Sequence, residues 1–268
     1  MGLKIAVSGK GGVGKTTIAG LLARSWALDG KRVLAVDADP ANHLGAVLGI
    51  PIERQPKPIS EMSELVEERT GVSPGSSFGK LFRLNPKVDD IPDKYSALNE
   101  DGVRLLVLGT IRHASTGCFC PENALLRTLI DHIVLLRDDY LVVDMEAGLE
   151  HLGRGSSKGL DFLLLIVDPG QRSLETAKRI KELASELGIK NIAAILNRAT
   201  GTESDEVARS RLKEAGIRTI GTIPFDKLLA ESDHRGIAPS ELSGSSPAIK
   251  AIEAIARKLQ NESVSMPS

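Results

Sequence analysis

The chain has 268 residues, 41% of them hydrophobic, which is enough for a sizeable core and excludes a disordered or fibrous polypeptide. With 34 Lys and Arg against 35 Asp and Glu, the formal net charge is −1, so no chain-wide cationic field draws in nucleic acid or a membrane surface. The longest apolar run, Phe162 to Val167, is far shorter than the ~18 residues of a membrane span.

Residues 1–8 meet a polar glycine run after a few apolar positions and hold no secretory h-region, which predicts a cytoplasmic protein. Along the chain, β-branched apolar segments at 4–7, 32–36, 103–108, 140–143, 162–167, 192–196 and 219–223 alternate with helical patterns at 13–28, 121–136, 174–187, 203–215 and 247–260. The strand segments lack alternating polar residues, so both of their faces are covered. The expected fold is therefore α/β, a doubly wound, mostly parallel sheet with helices on both faces. Residues 51–102 carry Pro51, Pro56, Pro58, Pro74, Pro86 and Pro92, are helical only over 60–69, and read as a Pro-rich insertion. The expectation is one domain over 1–262 with a frayed tail at 263–268.

In the last helical pattern Ile249, Ile252, Ile255 and Leu259 form one apolar stripe, while Glu253 partly balances Lys250, Arg257 and Lys258. That pattern assigns the stripe to the core rather than to a membrane. Arg172, Lys178, Arg179, Lys181, Lys190, Arg209, Arg211 and Lys213 interleave with acids and form no clear nucleic-acid surface. Neither partner is expected.

Gly9-Lys10-Gly11-Gly12-Val13-Gly14-Lys15-Thr16 follows the first strand and opens a helix, the context that the phosphate-binding pattern GxxxxGK[ST] requires. Glycines allow successive backbone N–H groups to wrap phosphate oxygens, and the helix N-terminus adds positive potential. Lys15 would reach the β- and γ-phosphates of ATP, and the Thr16 hydroxyl would complete a Mg²⁺ shell. Gly9, Gly11 and Gly14 also satisfy GxGxxG, with Asp37 placed to hold a ribose, so a nicotinamide dehydrogenase is the rival reading. Lys15 and Thr16 have no part in that fingerprint, whereas the apolar strand Leu141-Val142-Val143 ending in Asp144 supplies the acid that phosphate-loop enzymes use for Mg²⁺.

Lys10-Gly11-Gly12-Val13-Gly14-Lys15-Thr16-Thr17 resembles the deviant Walker A motif of the MinD, ParA, nitrogenase iron protein and arsenite ATPase group. The resemblance implies an ATP- and ADP-binding homodimer in which Lys10 crosses to the partner's nucleotide, as an arginine finger does in trans. Asp37-Ala38-Asp39-Pro40 is similar to the group's first switch, where Asp39 orients the attacking water or serves Mg²⁺. Asp144-Met145-Glu146-Ala147-Gly148 is similar to the second, where Gly148 permits a backbone change when the γ-phosphate leaves. Asn197-Arg198 and Pro224-Phe225 resemble its adenine-recognising segments.

Cys118-Phe119-Cys120 precedes Pro121 and a helix, a placement that lowers a thiol pKa and favours metal-binding thiolate. Two ligands leave a tetrahedral site half complete, and a twofold dimer would supply four. A redox-active pair and a metal-free turn remain alternatives. His113 lies near the pair as a possible further ligand. The string from Gly117 to Arg127, together with that from Asp144 to Gly155, resembles the CooC-type carbon monoxide dehydrogenase maturation ATPases. That resemblance implies Ni or Zn held between the CxC motifs of a dimer, and help with nickel insertion into the Ni-Fe-S cluster of carbon monoxide dehydrogenase. A maturation factor for acetyl-CoA synthase, or a positioning ATPase like MinD and ParA, is the alternative within the same superfamily.

Overall fold

The computed structural model describes residues 2–74, 81–109, 120–149, 152–242 and 246–264. Its centre is a sheet of eight strands: β1 (Lys4–Gly9), β2 (Val33–Ala38), β3 (Ala97–Leu98), β4 (Val103–Val107), β5 (Tyr140–Met145), β6 (Phe162–Val167), β7 (Ile192–Ala199) and β8 (Arg218–Pro224). Their order is β3-β4-β2-β5-β1-β6-β7-β8, parallel throughout except for the β3–β4 pair. All seven strands read from the sequence are present. The eighth, β3, has only two residues, too few to show a pattern, and pairs antiparallel with β4 at one edge.

The helices are α1 (Lys15–Leu28), α2 (Leu44–Val47), α3 (Ser63–Thr70), α4 (Ile91–Lys94), α5 (Pro121–Leu136), α6 (Arg154–Lys158), α7 (Gln171–Glu186), α8 (Glu203–Glu214), α9 (Lys227–Arg235) and α10 (Pro247–Val264). The five long helices match the sequence pattern within a few residues. The pattern passed over α2, α4 and α6, which are about one turn each, and α9, which is longer. Helix α10 runs to Val264, past residue 263 where the tail was expected to begin, and its Glu262 pairs with Arg218 of β8.

Strand residues alternate between two apolar layers, which explains why the strands read as continuous hydrophobic runs. Ile5, Val7, Leu164 and Ile166 pack with Ile18 and Trp26 of α1 and with Ile249, Ile252, Ile255 and Leu259 of α10. Ala6, Leu163 and Leu165 pack on the other face with Leu125, Leu129 and Ile133 of α5 and Leu174 of α7. The α10 stripe is thus buried against the sheet. Within 51–102, Asp93 of α4 bonds Arg137 at 3.0 Å and Arg104 at 2.6 Å, and Asp90 bonds Arg69 at 2.9 Å, so this excursion is tied to the sheet and to its own helix α3.

Trp26 is fully buried at the centre of the α1 layer, donates its indole N–H to the Ala256 carbonyl of α10 at 3.3 Å, and meets the Tyr140 ring edge-on at 5.4 Å. Trp26→Ala should cost about 3–5 kcal/mol of unfolding free energy in a urea titration. A loss below about 1 kcal/mol would show that α1, and with it the loop at its N-terminus, is not held by this contact.

Candidate functional site

The site forms at the carboxyl ends of β1, β2 and β5, beside the point where the chain crosses the centre of the sheet, which is where open α/β sheets bind ligands. Gly9 ends β1 at φ +152°, and a Cβ there would stand 2.4 Å from the Ile166 carbonyl oxygen. Gly14 takes φ +97° as the cap residue of α1, and Gly12 takes φ +75°. Side chains at these positions would be strained, and the loop can turn tightly because they carry none. Helix α1 has neither a side-chain cap nor an acid in its first turn. Its free N–H groups and positive end therefore face the loop, as an anion site needs.

Lys15 is buried, Thr16, Thr17 and Lys10 are half-buried, Val13 is buried, and Gly11 is exposed at the loop tip. A second part of the chain fixes this loop from behind: the Asn197 amide donates to the Val13 carbonyl at 2.8 Å. Spacing alone did not reveal that contact. Asn197, Arg198, Pro224 and Phe225, expected to recognise adenine, do gather in one cleft together with Gly14 and Thr17. Arg198 is exposed at φ +56°, a left-handed backbone rare outside glycine, and Phe225 is 56% exposed. Asp226 shapes the same cleft by holding two helix starts, accepting from Leu228 N–H at 2.9 Å and from the Ser246 hydroxyl at 2.5 Å.

Three acids meet the phosphate loop. Parallel pairing sets Asp37 level with Asp144, and Asp144 level with Val7 of β1. Asp37 is fully buried; one oxygen accepts Leu44 N–H at 2.9 Å and the other Asp39 N–H at 3.1 Å. Burial raises its pKa to about 6 against the pull of those bonds. Asp37 is shut off from solvent and each of its oxygens already accepts from its own turn, so it presents no free carboxylate edge to a ribose, which counts against the nicotinamide reading. Asp39 is half-buried, accepts Ala41 N–H at 2.9 Å, and adds negative charge felt by both other acids.

Asp144 is 0% exposed, and among the described residues neither of its oxygens has a hydrogen-bond partner. The nearby Thr16 hydroxyl favours the charged form. Burial raises the Asp144 pKa to about 7, with Asp37 and Asp39 adding to it and Lys15 opposing. An unpaired buried carboxylate beside a Thr hydroxyl and a phosphate loop fits Mg²⁺, which uses one or two protein oxygens and takes the rest from water and phosphate. Gly148, four residues on, is buried.

Cys118 and His113 lie outside the described residues. Cys120 is half-buried at the N-cap of α5, with Pro121 in the first turn as the sequence predicts, and its carbonyl accepts Ala124 N–H at 3.1 Å. No group of three or more His, Cys, Asp or Glu able to hold a metal occurs among the described residues. No helix among them is long and apolar enough to cross a membrane.

The sequence profile of the CobQ/CobB/MinD/ParA nucleotide binding domain matches residues 4–239. The chain is 45% identical over 243 residues to the carbon monoxide dehydrogenase accessory protein CooC of Rhodospirillum rubrum, covering 90% of each. It is 41% identical over 253 residues to an uncharacterised ATP-binding protein of Methanocaldococcus jannaschii, covering 94% of this chain and 96% of that one. The MinD cell division protein of Aquifex aeolicus superposes with a TM-score of 0.69 at 24% identity over 99% of both chains. MinD of Pyrococcus horikoshii, in complex with Mg-ADP, gives 0.67 at 21% identity over 98% of both. At these identities the structural likeness establishes the fold.

Unfolded, Asp37 and Asp144 titrate near 4; folded, they keep their protons to about 6 and 7, so the folded state binds more protons across that window. Stability of the metal- and nucleotide-free protein should therefore fall as pH rises from 4 to 7 and level off above. His132, whose pKa burial lowers, works in the opposite sense, so the diagnostic is the difference between wild type and Asp144→Asn. The variant should show a shallower slope in urea melts and gain on the order of 3 kcal/mol at pH 8. Equal slopes would contradict the placement of Asp144.

Proposed function

The chain belongs to the CobQ/CobB/MinD/ParA nucleotide-binding family, and from that premise we propose that it is a Mg²⁺-dependent ATPase that dimerises on nucleotide and assists nickel insertion into carbon monoxide dehydrogenase. The observation that carries this reading is the 45% identity to the accessory protein CooC over 90% of both chains. The site geometry supports the nucleotide chemistry.

Backbone N–H groups of Gly11 to Lys15 wrap the phosphates of ATP, with Gly9 and Gly14 giving the loop its turns. Lys15 draws charge from the β- and γ-phosphates. Thr16 and Asp144 would hold Mg²⁺, with Thr17 next to them at the head of α1, and the ion would supply charge neutralisation for the phosphate oxygens. Asp39, anchored by its own turn, orients the attacking water. Adenine lies in the cleft of Asn197, Arg198, Pro224 and Phe225. Lys10, at the loop edge, reaches the partner's nucleotide, and Gly148 lets its loop move when the γ-phosphate leaves.

Nickel or zinc is cargo in this reading. Cys118 and Cys120 of two chains meet on the dimer axis and give four thiolates, which hold about one ion per dimer. Closing the dimer on ATP orients that site and hydrolysis relaxes it, so metal transfer follows nucleotide state. Titration of Ni²⁺ into wild type and Cys118→Ala/Cys120→Ala, with and without ATP, should show about one ion per dimer for the first and none for the second. Nickel-dependent activation of an apo carbon monoxide dehydrogenase should then fail with the double variant. Equal binding and equal activation would overturn the metal role.

A further inference from the structure

Ser8 is a polar residue in an apolar position. Along β1, Ile5 and Val7 enter the α1 layer and Ala6 the α5 layer, so Ser8 points toward the same side as Ala6. It is 0% exposed. A hydroxyl buried so completely is costly unless it is bonded.

What the hydroxyl bonds to is specific. Backbone pairing between β1 and β5 stops at Val7 and Asp144, while Ser8 still pairs with Leu165 of β6. One residue past the end of the ladder, Ser8 Oγ donates to the Glu146 carbonyl at 2.9 Å and toward the Gly148 carbonyl at 3.2 Å. The side chain thus ties the strand that feeds the phosphate loop to the loop that leaves Asp144. One hydroxyl proton is shared between two acceptors, so a single side chain holds both ends of the Glu146–Gly148 segment.

We infer that Ser8 is a positioning residue that sets the Glu146–Gly148 loop against the phosphate loop, so that its loss impairs turnover rather than nucleotide binding. The inference rests on the ATPase reading above and deepens it. It is tested by comparing wild type, Ser8→Ala and Ser8→Thr by ADP calorimetry, steady-state ATP hydrolysis and amide hydrogen exchange.

Ser8→Ala should keep ADP affinity and KM within about threefold, lose about tenfold in kcat, and exchange residues 146–149 about fivefold faster, as loss of one net hydrogen bond implies. Ser8→Thr, which restores the hydroxyl, should recover most of the kcat and of the protection; if its added methyl prevents folding, the Ser8→Ala result decides alone. Wild-type kcat together with wild-type exchange in Ser8→Ala would overturn the inference. So would a parallel loss of ADP affinity and melting temperature in that variant, which marks a merely structural hydroxyl. Absence of ATP turnover in the wild type would remove the ATPase reading instead, and the exchange rates would still decide whether Ser8 fixes the loop.

Discussion

The structure turns on a carboxylate that is buried before it has a partner. Asp144 stands at the end of β5 because parallel pairing puts it level with Val7 of β1 and with Asp37 of β2. The sheet register that builds the core therefore also delivers a charged group beside the phosphate loop. Desolvating that charge is unfavourable, and its pKa rises to about 7 accordingly. A divalent cation held by this carboxylate, as proposed above, would offset this cost.

Around that point the neighbouring groups have complementary duties. Asp37 spends both oxygens on the turn after β2, which fixes the path of Asp39. Asn197 braces the phosphate loop through Val13, so the cleft it lines is joined to that loop by a direct hydrogen bond. Helix α1, pinned by Trp26 between β5 and α10, presents an uncapped N-terminus at the opposite end. The same two apolar layers that stabilise the sheet thereby hold the donors and the acceptors of the site at fixed separations, which is electrostatic preorganisation.

Much of this was legible in the residues. The strands announced themselves because both faces are apolar, and the glycine run was readable because a phosphate cradle needs positive φ at particular places, as found at Gly12 and Gly14. Elements near one turn in length, such as α2 and α6, have no period to read, and β3 is shorter still. The rest depended on tertiary contacts. Asp37 allowed a rival ribose role that Lys15, Thr16 and Asp144 already disfavoured, and its bonds to Leu44 and Asp39 are set by the turn after β2. Asn197 looked like a base reader, and its hold on Val13, 184 residues away in sequence, could come only from the sheet. Ser8 carried one hint, a polar letter inside a buried strand.

The most direct measurement uses Mn²⁺ as a paramagnetic substitute for Mg²⁺, with electron paramagnetic resonance following the ion bound together with ADP. Wild type should retain Mn²⁺ in the nucleotide complex, and Asp144→Asn should weaken that retention by roughly 10–100-fold while still binding metal-free ADP. Retention of Mn²⁺ by Asp144→Asn as tight as by wild type would show that the buried carboxylate does not meet the metal.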